Sequence, residues 1–319
     1  MIYKTFKGKN LLTILLSIIL FQTSLAQDYT DNWKFLRKGE ILSNEGVTGY
    51  FEFYRVLGLA DNCTDYALRI FNSQLQIETE KKLNICGGYI LNQATKIGDN
   101  FLFKFIAKND KSALFMLCDD RGNVINEVRK DVDLTSDYYM DRRSESLGDV
   151  AKPSLHNMDE NHIVDITSKW IKKPFKSEYE ISAFNEQGKN LWTYLPDSTG
   201  DANRRVEYIG NGNNQAVIQQ TAYKKVVSTK ARVSIIAIDT NGNSAFKFNM
   251  NSSERNCMAK SCTYSSNGTW EIHGYYFKGN GKMLRDSPLG LFYLELNSQG
   301  EKISEKLTPW SSILDESSL

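Results

Sequence analysis

Histidines and carboxylates are concentrated in one short segment of the chain, residues 156–165. Two of the three histidines, His156 and His162, lie there with Asp159 and Asp165. Zinc and similar ions take imidazole and carboxylate ligands from proteins, and the same groups act as general acids and bases. The segment also has the pattern of a polar loop entering a strand, where such side chains cap the backbone or face water. We therefore predict a structural polar loop and no metal site, with these four residues as the candidates for a metal or acid–base site if one exists.

Acidic residues also lie on or next to several predicted strands. A glycoside hydrolase needs two carboxylates about 5–9.5 Å apart. The candidates for such a pair in a central channel are Glu52, Asp99, Asp165, Glu207 and Glu271. The sequence does not say which two of them meet. Serine-based acyl transfer is disfavoured, because the chain contains no Gly-x-Ser-x-Gly motif.

Aromatic side chains form a third group of candidates, because exposed rings stack on sugars or anchor a protein partner. The group comprises Trp33, Trp170, Trp192, Trp270 and Trp310, with the pairs Tyr138–Tyr139 and Tyr275–Tyr276. Trp192 and Trp270 lie inside predicted strands, so packing between sheets is the alternative for these two. The predicted partner is accordingly another protein or a glycan.

The cysteines are the last reactive group, and in an exported protein they are used mainly in disulfides. Cys63 and Cys86 bracket a predicted hairpin, and Cys257 and Cys262 are close enough in sequence to close a small loop. We expect disulfides at these four, with free thiols as the alternative. Cys118 lies in an apolar strand and is expected to pack as a small hydrophobic residue. A zinc site is disfavoured, since no Cys-x-x-Cys pair or nearby histidine occurs.

The elements that must position these groups are repeated β-hairpins. Five segments each contain a run of alternating apolar and polar residues, a turn and a second such run. They lie at residues 66–83, 112–130, 178–195, 232–250 and 289–307. Each turn opens with Asn or Asp, and all but the first close with glycine, which accepts the left-handed conformation. A further strand precedes each hairpin, at residues 49–55, 101–107, 162–168, 215–222 and 269–277. Three or four antiparallel strands per repeat are what a propeller blade requires, so we predict an all-β propeller of about five to six blades.

The turn spacing adds detail to this prediction. The glycines of the last four turns are 66, 54 and 58 residues apart, whereas a bare four-stranded blade takes about 40–50 residues. Long loops are therefore expected, above all in the polar stretch 131–160. Two packed β-sandwich domains that divide near residues 145–160 are the alternative architecture.

With these turns, the chain resembles a broad class of secreted bacterial β-propeller-like proteins. Their blades end in an apolar strand, a D/N-x-x-G turn and a second strand. The resemblance covers about residues 49–307 and rests on the turns at 119–122, 185–188, 239–242 and 297–300. The export signal and the style of the strands resemble envelope proteins of the Bacteroidota type. Because propellers host binding, scaffolding and hydrolysis alike, the resemblance implies no single activity.

The first 26 residues have the pattern of a secretory signal peptide. Three lysines precede an apolar run at residues 11–21, and Ser24-Leu25-Ala26 supplies the small residues of a cleavage site. The run is too short to span a bilayer, which takes about 20 residues. We therefore expect cleavage after Ala26, a single domain over residues 27–319, and a secreted or periplasmic protein without a membrane anchor. An uncleaved N-terminal anchor is the alternative.

The charge composition gives no sign of nucleic-acid binding. The chain has 39 basic and 38 acidic residues, a formal net charge of +1, and no basic stripe. No cofactor is predicted. The leading hypothesis is an exported, non-enzymatic protein that binds a protein or glycan through one loop face. A glycan-processing hydrolase with channel carboxylates and a periplasmic sensor or scaffold subunit are the alternatives.

Overall fold

The computed structural model describes residues 33–43, 46–56, 63–107, 111–119, 121–132, 154–172, 175–196, 203–223, 231–279 and 286–313. These residues form twenty strands and one short 3-10 helix, Trp310–Ser312, so the predicted all-β class is confirmed. Among them, no helix has the length and apolar character needed to cross a membrane. The predicted signal peptide, residues 1–26, lies outside the described residues, as do residues 133–153 of the polar stretch.

The strands follow one another as five four-stranded antiparallel units, each ordered along the chain. Unit 1 contains β1 (Trp33–Ser43), β2 (Gly46–Val56), β3 (Cys63–Asn72) and β4 (Ile77–Cys86). Unit 2 contains β5 (Tyr89–Ile97), β6 (Asn100–Ala107), β7 (Ser112–Cys118) and β8 (Val124–Asp131). Unit 3 contains β9 (Leu155–Asn157), β10 (His162–Lys172), β11 (Phe175–Asn185) and β12 (Asn190–Tyr194). Unit 4 contains β13 (Asn203–Gly212), β14 (Gln215–Tyr223), β15 (Arg232–Asp239) and β16 (Ser244–Asn249). Unit 5 contains β17 (Arg255–Tyr264), β18 (Trp270–Lys278), β19 (Gly290–Leu296) and β20 (Lys302–Pro309).

The five predicted hairpins are confirmed as the third and fourth strands of the units. The strands predicted before them are the second strands, and each pairs directly with its hairpin. The first strand of each unit is an addition that the alternating pattern does not predict. These strands carry many polar residues, so their apolar signal is weak.

The first strands lie side by side. β1 lies next to β5, and Gln93 of β5 donates to the carbonyl oxygen of Leu155 in β9 at 2.9 Å. Tyr208 of β13 donates to the carbonyl oxygen of Asn157 in β9 at 2.8 Å. β13 and β17 pair in parallel over two residue pairs, which merges units 4 and 5 into one eight-stranded sheet. The five first strands thus form one row.

Hydrophobic cores lie between consecutive units. Four clusters join units 1 and 2, units 2 and 3, units 3 and 4, and units 4 and 5. In β15, Val233, Ile235 and Ala237 contribute to the core with unit 5, whereas Ile236 and Ile238 contribute to the core with unit 3. The apolar residues on both faces of this strand therefore indicate, correctly, a strand covered on both sides. Among the described residues, no such cluster joins unit 5 to unit 1.

The hairpin turns share one construction. The side chain of the opening Asp239, for example, accepts hydrogen bonds from the backbone N–H groups of Asn241 and Asn243, both at 2.9 Å. The closing glycine is left-handed, with φ between 67° and 83°, in the last four copies: Gly122, Gly188, Gly242 and Gly300. In the first copy Leu75 takes this position with φ 63°.

One predicted disulfide is confirmed and the other is wrong. Cys63 and Cys86 face each other across β3 and β4 and are bonded. Cys257 and Cys262 are free thiols, because both lie on the extended strand β17 and not in a loop. Five residues of strand separate them by roughly 16 Å, beyond the reach of a disulfide. Cys118 is buried in β7, as expected.

Candidate functional site

The four residues considered as metal or acid–base candidates have different partners. His156 in β9 stacks on Tyr208 of unit 4, with ring centroids 4.1 Å apart. Nδ1 of His162 lies 2.8 Å from the carboxylate of Asp159. Within the part of the chain that the structure describes, no three His, Cys, Asp or Glu side chains are grouped to hold a metal ion.

Asp165, the fourth of these residues, is fully buried and forms an ion pair with Lys104 of β6 at 2.6 Å. Thr167 donates to the second carboxylate oxygen at 2.5 Å, and Lys104 also donates to Ser154 at 2.9 Å. Burying such charges is tolerated only when they are paired and hydrogen-bonded, as here. This ion pair links unit 2 to unit 3, so we assign Asp165 a structural role.

The five carboxylates considered for a catalytic pair lie in five different units. Glu52 and Glu207 are each held by a neighbouring side chain of the same unit. Asp99 is exposed in the turn between β5 and β6. Glu271 lies in β18, directly opposite the carboxylate residue Glu295 of β19.

Trp192 and Trp270 pack between units, which is the alternative predicted for them. Trp270 is 0% exposed in the core between units 4 and 5. Trp192 donates from Nε1 to the carbonyl oxygen of Thr240 in the next unit at 2.8 Å. Tyr138, Tyr139 and the side chain of Trp170 lie outside the described residues.

Two of the other predicted rings on unit 5, Tyr275 and Trp310, lie near two rings that the sequence did not single out. Trp310 follows β20, and its ring centroid lies 6.3 Å from that of Tyr275 in β18. Its Nε1 donates to the carbonyl oxygen of Pro288 at 2.8 Å, which fixes the indole. His273, two residues before Tyr275, has its ring centroid 5.2 Å from that of Tyr293 in β19. Four rings are therefore grouped at one place.

These rings belong to one side of unit 5, which we call the open face. The strand register puts three rows on it: Thr263, Glu271, Glu295 and Ser304; Ser261, His273, Tyr293 and Lys306; Met258, Tyr275, Leu291 and Thr308. All twelve residues are half-buried or exposed. The opposite side of the same strands carries Ile272, Phe292 and Leu294, which are buried against unit 4. Met258 and Tyr275, at one end of the open face, are also partly buried against this cluster, whereas the other two rows of the open face contribute no residue to a core cluster of the described residues.

Two carboxylates on the open face, those of Glu271 and Glu295, lie close enough to Tyr293 to affect its pKa. Partial burial, and then the charges of Glu271 and Glu295, raise the pKa of Tyr293. Its hydroxyl therefore stays protonated and able to donate. Ser304 donates to the carboxylate of Glu295 at 2.9 Å, which leaves further lone pairs of that carboxylate as acceptors. The rings of the open face can therefore stack on an apolar surface, and its carboxylates can accept hydrogen bonds from neighbouring hydroxyl groups.

The sequence singles out Glu271, Tyr275 and Trp310 but not His273, Tyr293 or Glu295. In the sequence these residues are marked only by lying at alternate positions of two strands, residues 270–278 and 290–296. Each strand has two sets of alternate residues, and the set that faces solvent is the one that unit 4 does not cover. Contact between two units joins residues far apart in the sequence, so the local pattern does not reveal it.

A family model matches residues 4–317 of the chain. The chain belongs to DUF6770. This is a family of unknown function, so membership in DUF6770 brings no activity with it. No curated protein matches the sequence.

Several solved structures have a weak likeness to this DUF6770 chain. One is a putative dipeptidyl aminopeptidase IV from Bacteroides ovatus, with 8% identity and a TM-score of 0.47, covering 90% of this chain and 43% of that one. A eukaryotic initiation factor has 8% identity and a TM-score of 0.43, covering 86% and 55%. A Synechocystis apocarotenoid oxygenase variant has 8% identity and a TM-score of 0.41, covering 89% and 67%. The chain therefore spans only part of these proteins, and likeness at this level carries no information on its activity.

Proposed function

We propose that this DUF6770 protein is an exported, non-enzymatic protein that binds a glycan on the open face of unit 5. The observation that carries the proposal is the grouping of His273, Tyr275, Tyr293 and Trp310 beside two carboxylates on one accessible face. Aromatic rings stack on the apolar side of a sugar ring, and carboxylates accept hydrogen bonds from its hydroxyl groups. Exposed patches of this kind mark interaction sites.

The chemistry of the open face favours a glycan over a protein partner. The core of a protein interface is depleted of charged residues, whereas Glu271 and Glu295 lie among the rings. The large aliphatic side chain exposed on this face is Leu291, at 38%. The face carries two carboxylates and two lysines, Lys306 and Lys260, and Nζ of Lys260 lies 5.9 Å from the ring centroid of Tyr275. These charges balance, so the face has no excess charge to attract uronic acids or sulfated sugars. The proposed ligand is therefore a neutral glycan.

Export is part of the proposal. It is supported by the signal-peptide pattern of residues 1–26 and by the Cys63–Cys86 disulfide, since such bonds persist in oxidising compartments such as the periplasm. The mature chain, residues 27–319, is proposed to form one propeller-like array of five blades. The five units and their row of first strands support this arrangement. The stacking of Phe115 on Phe184, at 4.8 Å between centroids, supports continuity across residues 145–160.

Affinity electrophoresis of the mature chain tests the proposal. The gels contain xylan, β-glucan or mannan as neutral polymers, and polygalacturonate as the acidic control. We expect retardation by at least one neutral polymer, weakened roughly tenfold or more by Tyr293→Ala and retained by Tyr293→Phe, which keeps the ring. Tyr50→Ala, at a half-buried tyrosine of unit 1, is the matched control. Retardation by none of the neutral polymers, or equal retardation of the Tyr293→Ala variant, would contradict the proposal.

The opposition of Glu271 and Glu295 favours glycan hydrolysis as a second candidate. Cβ atoms of directly opposite residues lie about 4.5–5.5 Å apart, and retaining glycosidases hold their two carboxyl groups at about 5–5.5 Å. Release of reducing ends from the bound polymer, abolished by Glu271→Gln, would support the enzyme. Binding without release would support the non-enzymatic role.

A further inference from the structure

A cavity of about 210 Å³ lies between units 4 and 5, on the side of unit 5 opposite the open face. Phe248 and Met250 line it on the unit 4 side, and Phe292 and Leu294 line it from β19. An engineered apolar cavity of roughly 150 Å³ in another protein admits benzene. This cavity therefore has room for an aromatic ring or a short alkyl chain together with a polar group.

The charged residues of the cavity lining are Arg255, Lys302 and Glu305. Nε of Arg255 donates to Glu305 at 2.9 Å, a second guanidinium nitrogen contacts the same carboxylate, and Nζ of Lys302 lies 3.3 Å from it. Burial would raise the pKa of Glu305, but the hydrogen bonds from Arg255 and Lys302 outweigh burial and hold it below its ordinary value. Glu305 is thus ionised. The exposed carboxylate of Glu254, outside the cavity lining, lies 4.0 Å from Nη1 of Arg255, so two cations face one anion of the lining and one exposed anion beside it.

The guanidinium of Arg255 also has N–H donors that Glu305 does not use. It has five N–H groups, and Glu305 occupies two of its nitrogens. The third nitrogen, Nη1, lies 4.0 Å from the exposed carboxylate of Glu254, which is beyond hydrogen-bond distance. Arg255 is a quarter exposed and Lys302 half exposed, at 23% and 51% of their side chains. An incoming anion can therefore reach both cations without breaking the ion pair.

We propose that this cavity binds a small organic monoanion, a carboxylate on an aromatic or short aliphatic body. The carboxylate contacts Arg255 and Lys302, and the body packs against Phe248, Phe292 and Leu294. Pockets for drug-sized ligands measure about 300–1,000 Å³, so the volume limits the ligand to a smaller molecule of the size of benzoate or hexanoate. The site is separate from the glycan site, and neither proposal depends on the other.

Benzoate is the probe, titrated into the mature chain and followed by ligand-observed NMR. Benzyl alcohol and benzylamine share its ring but remove or reverse its charge. We expect benzoate to bind most tightly and Arg255→Met to weaken it about tenfold, which corresponds to about 1.4 kcal/mol. Binding of benzyl alcohol should not change in this variant. No binding of benzoate, or equal binding of all three probes, would overturn the proposal.

Cys257 lines the same cavity and provides a second readout on the unaltered protein. Burial raises its pKa to about 11, so alkylation by iodoacetamide is followed at pH 9. Trypsin cuts after Lys260 and separates Cys257 from Cys262, and Cys118 is a third buried thiol. At ten times its Kd, benzoate should slow alkylation of Cys257 about tenfold by mass action and leave the other two unchanged. Equal slowing of all three thiols would show general stabilisation and contradict binding at this site.

Discussion

The closing glycine of the last hairpin turn, Gly300, lies against the ring of Phe246 in the preceding unit. A Cβ at position 300 would come within 2.4 Å of Cγ of that ring. The same contact occurs one unit earlier, where a Cβ on Gly242 would lie 2.8 Å from Cγ of Trp192. Both glycines are left-handed, with φ 80° and 83°. The turn of one unit is thus closed over an outer strand of the unit before it, and glycine is required there by both space and conformation.

Replacing Gly300 by alanine therefore has two effects that add. A left-handed non-glycine residue costs about 1–2 kcal/mol, and forcing a methyl group into a packed contact costs about 1–3 kcal/mol more. We expect Gly300→Ala to lower the free energy of unfolding by about 2–5 kcal/mol in urea denaturation. Gly268→Ala is the control, because φ is 81° but the nearest atom to its Cβ is 3.7 Å away. Equal losses in the two variants would mean that the contact with Phe246 contributes nothing.

Leu75 is the natural counterpart of these glycines. It occupies the same left-handed turn position in unit 1, the first unit of the described residues, and its side chain is 64% exposed. Leu75→Gly should therefore stabilise the protein by about 1 kcal/mol, because the strain is relieved and no packing is lost. Leu75→Ala keeps the strain and should give no such gain. A destabilised Leu75→Gly variant would show that the leucine side chain contributes to packing.

The hairpins can be predicted from the sequence because their information is local. An opening Asp239 and a closing Gly242 fix the turn, and the alternating residues of β15 report that both of its faces are covered. β17 cannot be predicted in the same way. Its residues 255–264 contain Cys257 and Cys262 at a spacing that also suits a looped disulfide, and its strand conformation depends on pairing with β13 and β18.

The residues of the candidate site also fall into two groups, those that can be predicted from residue type and those whose pairing depends on strand register. The sequence identifies Tyr275 and Trp310 as possible stacking rings, because residue type alone carries that information. The pairing of His273 with Tyr293, and of Glu271 with Glu295, is a matter of strand register and becomes visible only in the sheet. A side that is left uncovered by a neighbouring unit has no sequence signature.

The buried ion pair between Lys104 and Asp165 predicts a large effect of single substitutions. Lys104→Met leaves the fully buried carboxylate of Asp165 without its counter-ion, and such a loss costs about 3–5 kcal/mol. The double variant Lys104→Met/Asp165→Leu removes both charges and should recover much of that loss. Urea denaturation of the single and double variants measures the coupling. Losses that simply add would show that the two residues do not stabilise each other.

The reactivity of the cysteines in the folded and the unfolded protein should distinguish the free thiols from the disulfide-bonded pair. Burial raises the pKa values of Cys118, Cys257 and Cys262 to about 12, 11 and 12. None of the three should react with a disulfide reagent such as dithionitrobenzoate in the folded protein at pH 8. Three thiols are expected in urea without reductant, and five after reduction of the Cys63–Cys86 bond. A count of one in urea would mean that two of these three are bonded to each other.

The ion pair between Arg255 and Glu305 should make stability depend on pH in the acid range. Glu305 has a lowered pKa in the folded protein, against about 4.3 in an unfolded chain. Unfolding then takes up a proton, so the stabilisation is complete above the unfolded pKa and is lost as pH falls through the folded pKa. We expect the difference in unfolding free energy between the wild type and Glu305→Gln to shrink from pH 7 to pH 3. Arg255→Met removes the cause of the shift and should abolish the same pH-dependent contribution, whereas a difference that stays constant with pH would exclude this role for the pair.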